Sequence, residues 1–348
     1  MGLFSALAGY SQSSAPKYSN EFLNIGVGAR ALGMANVQVS LAQDVTSGYW
    51  NPAGLLGVKN RFEVAYMHAE WFSSIGKYDY LAFATPIDSQ SVLGISAIRF
   101  GVDNIPDTRF LYDANGAINY GNIKYFSSSD YAFLISYARK SKLIPGLRLG
   151  GNFKIIYRNV GEFANAWGFG LDAAAQYQKN GWMVGALLRD ATSTFNVWTF
   201  NTASLKDVFA ATGNNLPSSS TEITVPRLII GGGKYITVFK KFGVVPSIDF
   251  AMTFDGRRNT VIQSNFTSID PMLGLEINYM KIVYLRAGVG NSQYIKRFDG
   301  SSYLQLQPSF GIGVKISRFA IDYALTNNVG TFAQGLYSNV FSLKVSLF

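Results

Sequence analysis

From about residue 60 to Phe348, apolar and polar residues alternate in stretches of roughly ten, and the gaps between stretches are alternately short and long. Between 304 and 316, Leu304, Leu306, Phe310, Ile312, Val314 and Ile316 share one face, with Pro308 the exception on it. Gln305, Gln307, Ser309, Gly311, Gly313 and Lys315 share the other. A period of two is that of a β-strand. A half-buried strand of a soluble sandwich alternates too, but with Lys, Glu and Thr outward and loops of similar length. The pattern places fourteen strands near 61–71, 77–86, 91–101, 129–139, 147–158, 166–178, 181–190, 225–236, 243–254, 270–279, 282–291, 303–316, 319–327 and 339–348. An even set of amphipathic strands continuing to the chain end predicts an all-β protein, a 14-stranded antiparallel transmembrane β-barrel. In lipid only a closed sheet satisfies all of its own backbone hydrogen bonds.

The connections follow the same logic. Short links fall at 87–90, 140–146, 179–180, 237–242, 280–281 and 317–318, and longer ones at 72–76, 102–128, 159–165, 191–224, 255–269, 292–302 and 328–338. One rim is therefore trimmed and the other decorated, which in the usual barrel topology puts the turns in the periplasm and the loops outside. The two longest connections carry Phe110, Tyr112, Tyr120, Tyr125 and Phe126, and Phe195, Trp198, Phe200 and Phe209, among small polar residues. Connections of this length are uncommon unless functional or disordered. Aromatics among Ser, Thr and Asn suit a protein-binding surface, and a packed cap that shields the lumen explains them equally.

The alternation also assigns faces. Phe153, Trp182, Val184, Leu188, Phe250, Leu273, Ile277, Phe319 and Ile321 are expected to face lipid, and Arg148, Asn152, Lys154, Arg158, Asp172, Gln176, Arg189, Asp249, Glu276, Asn278, Arg286, Lys315 and Asp322 to face a polar lumen. The inverse would place Arg and Lys in hydrocarbon at ~2–4 kcal/mol each near the midplane. On the last strand Phe341, Leu343, Val345 and Leu347 share a face, while the terminal Phe348, which resembles an assembly signal of outer-membrane proteins, falls on the other.

Composition agrees. Of 348 residues 48% are hydrophobic, 15% aromatic and only 15% charged, against about 25% charged in soluble domains. Mean hydropathy is +0.12, and no uncharged apolar run reaches the ~18 residues of a spanning helix. The net charge of +9 comes from basic residues scattered in sequence, among them Lys140, Lys142, Lys179, Lys240, Lys241, Lys281 and Arg318 in or beside the short turns. A nucleic-acid interface needs a clustered cationic face, so lipid headgroups, lipopolysaccharide or an acidic partner are the expected counterparts. The absence of cysteine excludes disulfides, thiolate metal sites and thiol catalysis.

The first residues, Gly2 to Gly9 followed by Gln12 to Ser14, read as the end of an export signal without its basic start. Three parts follow: a signal-like segment at 1–14, a plug at 15–59 and a barrel at 60–348. The plug carries Phe22 to Met34 (FLNIGVGARALGM) and Asp44 to Leu55 (DVTSGYWNPAGL). Gly26, Gly28 and Gly33 permit close approach or unusual backbone angles, and Asn51 before Pro52 favours a turn. Arg30 and Asp44 would need partners if the segment enters the bore.

This pattern, with Gly28-Ala-Arg30 and Asn51-Pro52-Ala-Gly54, resembles the N-terminal region of the PorV/PorQ family, outer-membrane barrels of the type IX secretion system in Bacteroidetes. It is similar, more distantly, to the FadL long-chain fatty-acid transporters, which share the Asn-Pro-Ala-Gly element. The first resemblance implies an outer-membrane protein of a Bacteroidetes-type Gram-negative bacterium that binds the C-terminal signal domains of secreted cargo, docks on a translocon and has no chemistry of its own. The second implies a luminal hatch and uptake of a hydrophobic small molecule, with a cavity between plug and wall and an interrupted strand.

Catalysis finds little support. His68, the single histidine, sits on a strand beside Glu70, too little for a triad or a metal site. Gly231 to Gly233 lacks the GK[ST] of a phosphate loop. No metal or cofactor is expected.

Overall fold

A computed structural model describes residues 19–72, 74–113, 115–217, 220–326 and 338–347. The signal-like segment 1–14 and Phe348 lie outside the described residues. The wall begins with β1 (Phe62–Trp71), β2 (Gly76–Pro86), β3 (Ser91–Asp107), β4 (Lys124–Lys140), β5 (Leu147–Val160) and β6 (Ala164–Lys179). It continues with β7 (Trp182–Arg189), β8 (Thr194–Phe200), β9 (Ser220–Thr224), β10 (Arg227–Lys234), β11 (Ile236–Val238) and β12 (Phe242–Thr253). After the two-residue β13 (Ile262–Gln263) come β14 (Ser268–Tyr279), β15 (Val283–Lys296), β16 (Ser302–Ile316), β17 (Phe319–Thr326) and β18 (Ser338–Leu347). All pairings are antiparallel, and β1 against β18 closes the sheet, Phe62 opposite Leu347 and Glu70 opposite Asn339.

The eighteen segments make fourteen staves. β7 and β8 are the lower and upper halves of one stave, both paired to β6. β9, β10 and β11 are pieces of the next, and β13 lies beside β14. The barrel expected from the alternation is therefore the fold, with two corrections. The seventh stave does not stop at Asp190. It resumes at Thr194, and the expected loop 191–224 holds β8, helix α3 (Thr202–Thr212) and β9. The loop 102–128 is likewise strand at both its ends, since β3 and β4 stay paired to Asp107 opposite Lys124 past a bulge between Val102 and Ile105.

Outward side chains form the lipid belt: Leu81, Ile95, Phe153, Phe169, Trp182, Leu273, Phe310 and Ile321 are exposed. One hydrogen-bonded row reads Tyr323, Phe341, His68, Asp79, Arg99, Tyr131, Tyr157 and Trp167 around the wall. It is the interfacial girdle of such barrels. His68 is thus a wall residue facing outward, its Nδ1 2.7 Å from Asp79.

The inward face departs from the expected polar lumen. On β1 and β2 it presents Ala65, Met67, Ala69, Trp71, Tyr78, Tyr80, Ala82 and Ala84, which pack with Phe22, Leu23, Val27, Leu32, Trp50 and Leu55 in one buried apolar cluster. This part of the bore is filled by protein instead of water, so apolar side chains are stable there. The polar inward positions lie mainly on the remaining staves, with Glu63 of β1 accepting from the plug's Val45 N–H (2.8 Å).

Candidate functional site: the plug and the cavities it separates

Residues 19–58 lie inside the barrel. Asn196 on β8 donates to Ser19 Oγ (2.6 Å) and to Asn20 Oδ1 (2.9 Å), so the described chain starts in the half of the bore that carries the long loops. It crosses to the turn end before β1 begins. Two short helices, α1 (Ala29–Leu32) and α2 (Ser47–Trp50), and 3₁₀ turns at Glu21–Asn24 and Pro52–Gly57 make up its regular structure.

The wall admits this segment because glycines face it. A Cβ on Gly150 would lie 2.3 Å from Ala53 N, one on Gly185 2.1 Å from the Val39 carbonyl, and one on Gly288 2.3 Å from the Met34 carbonyl carbon. Side chains there would exclude the plug backbone. The same need appears within the plug, where a Cβ on Gly54 would stand 2.1 Å from the Ala42 carbonyl oxygen and one on Gly33 2.9 Å from Gly311 Cα. Gly28, with φ +86°, begins α1 in a conformation that other residues rarely adopt.

Asn51 is fully buried and holds the segment to the wall. Its Nδ2 donates to the carbonyls of Val39 (2.7 Å) and Ala175 (3.1 Å), while Oδ1 accepts from Ala53 N (3.1 Å) just past Pro52. Arg30 and Asp44 do not pair with each other. Arg30 reaches Glu276 on β14 through Nε (2.9 Å) and Nη2 (3.2 Å). Glu276 also accepts from Arg286 (2.7 Å), which continues to Asp322 (2.7 Å). Gly313 on the intervening β16 makes that bridge possible, because its Cβ would sit 2.1 Å from Asp322 Oδ1. Asp44 pairs with Lys344 on β18. Burial alone would raise the Asp44 carboxyl, but Lys344, Thr46 and Arg30 hold it well below the usual carboxylate range. Asp249 accepts from the N–H groups of Gln38 (2.8 Å) and Val39 (2.9 Å), a partner that sequence reasoning did not assign.

The plug leaves two cavities. One, about 700 Å³, opens at the loop end and is lined by Tyr49, Trp50, Phe72, Ile229, Met272 and a group of arginines. Of these, Arg258 is held by Asp255 (2.7 Å), and Arg189 donates to the Tyr49 carbonyl (3.0 Å). The Arg227 side chain makes no ion pair or hydrogen bond among the described residues, although Arg189, Glu21, Asp190 and Asp270 are close enough to act on it electrostatically. The other cavity, about 380 Å³, opens at the turn end around Arg30, Asp44, Glu276, Lys281, Lys315 and Lys344.

Beside the first cavity, and sharing Glu21, Asn24 and Arg227 with it, lies a small one of about 20 Å³ lined by Asn20, Leu23, Asp190, Thr224 and Val225 of plug and wall. There the wall is discontinuous. Between Ala173 opposite Leu188 and Phe169 opposite Phe195 the register slips by three residues, and the neighbouring stave is broken at Val225 and Pro226. Lys154, 2% exposed, clasps the break from inside: it pairs with Asp172 (2.8 Å) and Asp190, and Thr194 donates to Asp190 (2.5 Å). Asn152 ties Asp172 (3.0 Å) to the Gly48 carbonyl of the plug (2.8 Å).

The loop aromatics are dispersed. Phe110, Tyr112 and Tyr120 are exposed in the β3–β4 connection and Tyr125 is exposed on β4, whereas Phe195, Trp198 and Phe200 belong to β8 and Phe209 to α3. Trp198 is buried beneath the Arg158 guanidinium, 5.1 Å away, because β8 completes the barrel. Arg109 binds Asp107, Glu162 (2.6 Å) and the Ser204 carbonyl (2.6 Å), fastening the β3–β4 connection to α3. Sequence reasoning missed Arg227, Lys344 and the Lys154 clasp. The available signal was charge on inward strand positions opposite in sign to the charges of the plug.

No protein-family model and no curated protein matches this sequence. Solved structures do match in fold. The CymD monoaromatic hydrocarbon channel superposes with a TM-score of 0.57 at 14% identity over 93% of this chain and 98% of its own. The Ralstonia pickettii toluene transporter TbuX gives 0.55 at 11% over 93% and 99%. A Pseudomonas aeruginosa FadL homologue gives 0.51 at 11% over 92% and 98%. The fold is that of FadL-like transmembrane barrels.

Proposed function

We propose that this protein is an outer-membrane channel that takes up a small hydrophobic molecule carrying an acidic end. The observation that carries the reading is the loop-end cavity, closed below by a glycine-seated plug and lying beside an interrupted stave. A hydrophobic solute entering it meets Tyr49, Trp50, Phe72 and Met272, and the discontinuity at 190–193 offers a lateral way into the bilayer in place of a water-filled pore. Arg227 supplies a cation that makes no side-chain hydrogen bond or ion pair among the described residues, and a guanidinium so placed in a confined site favours a carboxylate or similar oxyanion. The neighbours in fold bear the names of hydrocarbon channels and a toluene transporter, which supports uptake over secretion.

The secretion role implied by the N-terminal resemblance gains nothing from these neighbours. The cavity is too small for a folded cargo domain, and the aromatics expected to bind cargo are split between wall and loops. Uptake of a radiolabelled aromatic acid into proteoliposomes tests the proposal. Wild-type protein should accelerate uptake, and Arg227→Gln should lose about tenfold for the acid while keeping the uncharged hydrocarbon. No acceleration by wild type, together with secreted proteins stranded in the periplasm of a deletion strain, would overturn it.

A further inference from the structure

The basic residues scattered in sequence converge in space. Because the staves alternate in direction, every short turn lies at one rim, together with the start of β1 and the end of β18. That rim carries Lys142, Lys179, Lys240, Lys241, Lys281 and Arg318, while Asp88 is the one acidic residue of its turns. In the long connections at the opposite rim acidic and basic residues are close to balanced. The positive charge of the chain is thus concentrated at one end.

The cations do not stand alone. Lys142 precedes Leu143, which is 92% exposed, and Phe239, 87% exposed, precedes Lys240. Met280 and Ile282, both exposed, flank Lys281, whose own ammonium lies over the Tyr235 ring at the turn-end cavity. Two of these pairs also sit where the backbone disfavours them. Phe239 and Lys240 have φ of 47° and 58°, and Met280 and Lys281 have 52° and 57°. A positive φ is uncommon for bulky residues and favours Gly or Asn, and this chain meets it with Asn180-Gly181 at another turn. Turn geometry therefore does not explain Phe-Lys and Met-Lys. The two turns are also joined, because the Met280 N–H donates to the Lys241 carbonyl at 2.7 Å. Further along the rim, Lys315 N–H donates to Ile282 O (2.7 Å) and Ser346 N–H to Arg318 O (2.9 Å), so the turns form a connected arc.

We infer that this arc is a binding ring for anionic phospholipid headgroups of the periplasmic leaflet. An apolar side chain beside a lysine matches a headgroup–acyl boundary, the ring or thioether entering the acyl region while the ammonium meets phosphate. A soluble acidic protein would meet the charge but would leave Phe239 and Leu143 without apolar surroundings. The inference rests on the outer-membrane placement proposed above and is independent of what the channel carries.

Full-length protein placed in nanodiscs of phosphatidylethanolamine with one-fifth phosphatidylglycerol, then extracted in mild detergent, should retain phosphatidylglycerol enriched about fivefold over the bulk. Raising the salt, which screens exposed charges, should remove the enrichment. The K142E/K240E/K241E variant should lose it and K142R/K240R/K241R should keep it. If charge reversal prevents folding, the salt series on wild type decides alone. Retained lipid at bulk composition would overturn the inference. So would an acidic periplasmic protein that co-purifies from cells with wild type and not with the reversed variant, with bound lipid unchanged. Uptake by these variants separates the two proposals: a failed lipid result leaves the transport assay standing, and the converse also holds.

Discussion

The two sides of the bore are built by different rules. Against β1 to β5 the plug meets Met67, Trp71, Tyr78, Tyr80 and Ile156 in a cluster without charge, packed like the interior of a soluble protein. Against β10 to β18, where Gly288 and Gly311 admit its backbone as Gly150 does on β5, it is held by ion pairs at Glu276 and Lys344, with both large cavities on this side. The dry side anchors the plug. The wet side is where it can part from the wall, because ion pairs beside water lose less on separation than buried apolar surface does.

The comparison is broken most severely from the dry side. Trp71→Ala should cost ~3–5 kcal/mol of stability, as large aromatic truncations in cores do, measured by urea unfolding in micelles. It should leave small-solute leakage through planar bilayers unchanged; a leak equal to that of wet-side variants would erase the distinction. Arg30→Ala removes a charged contact yet leaves Glu276 paired with Arg286, so about 1.5–3 kcal/mol is expected, with leakage rising above wild type. Gly288→Val crowds the Met34 backbone and should cost about 1–3 kcal/mol by overpacking, detected as protease access to the plug in reconstituted vesicles. The smallest effect is that of pH. The Asp44 carboxyl is held low in the folded state, so its contribution is complete above the ordinary carboxylate pKa of about 4. It is lost as acid carries the pH below that value towards the folded one. Asp44→Asn should cost on the order of 1 kcal/mol at pH 7 and flatten that acid limb of the unfolding curve.

The staves were legible because side-chain direction in a strand depends only on parity, and Leu304 to Ile316 shows it without help from any other segment. Parity failed at Asp190, where a three-residue slip restarts the pattern at Thr194 and made β8 resemble a loop. The plug was legible as a conformational oddity, through Gly28 and Asn51-Pro52, but its docking was not. Arg30 meets a residue 246 positions away and Asp44 one 300 positions away, and no local pattern selects such partners. The dry half of the bore was misjudged for the same reason: alternation reports that Met67 and Trp71 share a face, not what covers it.

The seam between the first and last staves has a consequence for assembly. The plug leads directly into β1, while Lys344 and Ser342, which grip Asp44 and the Ala29 N–H, lie on β18. The final hairpin therefore delivers the grips for the leading segment in the same movement that zips the cylinder, so a chain cut short of that hairpin would form neither a sealed wall nor a stopper.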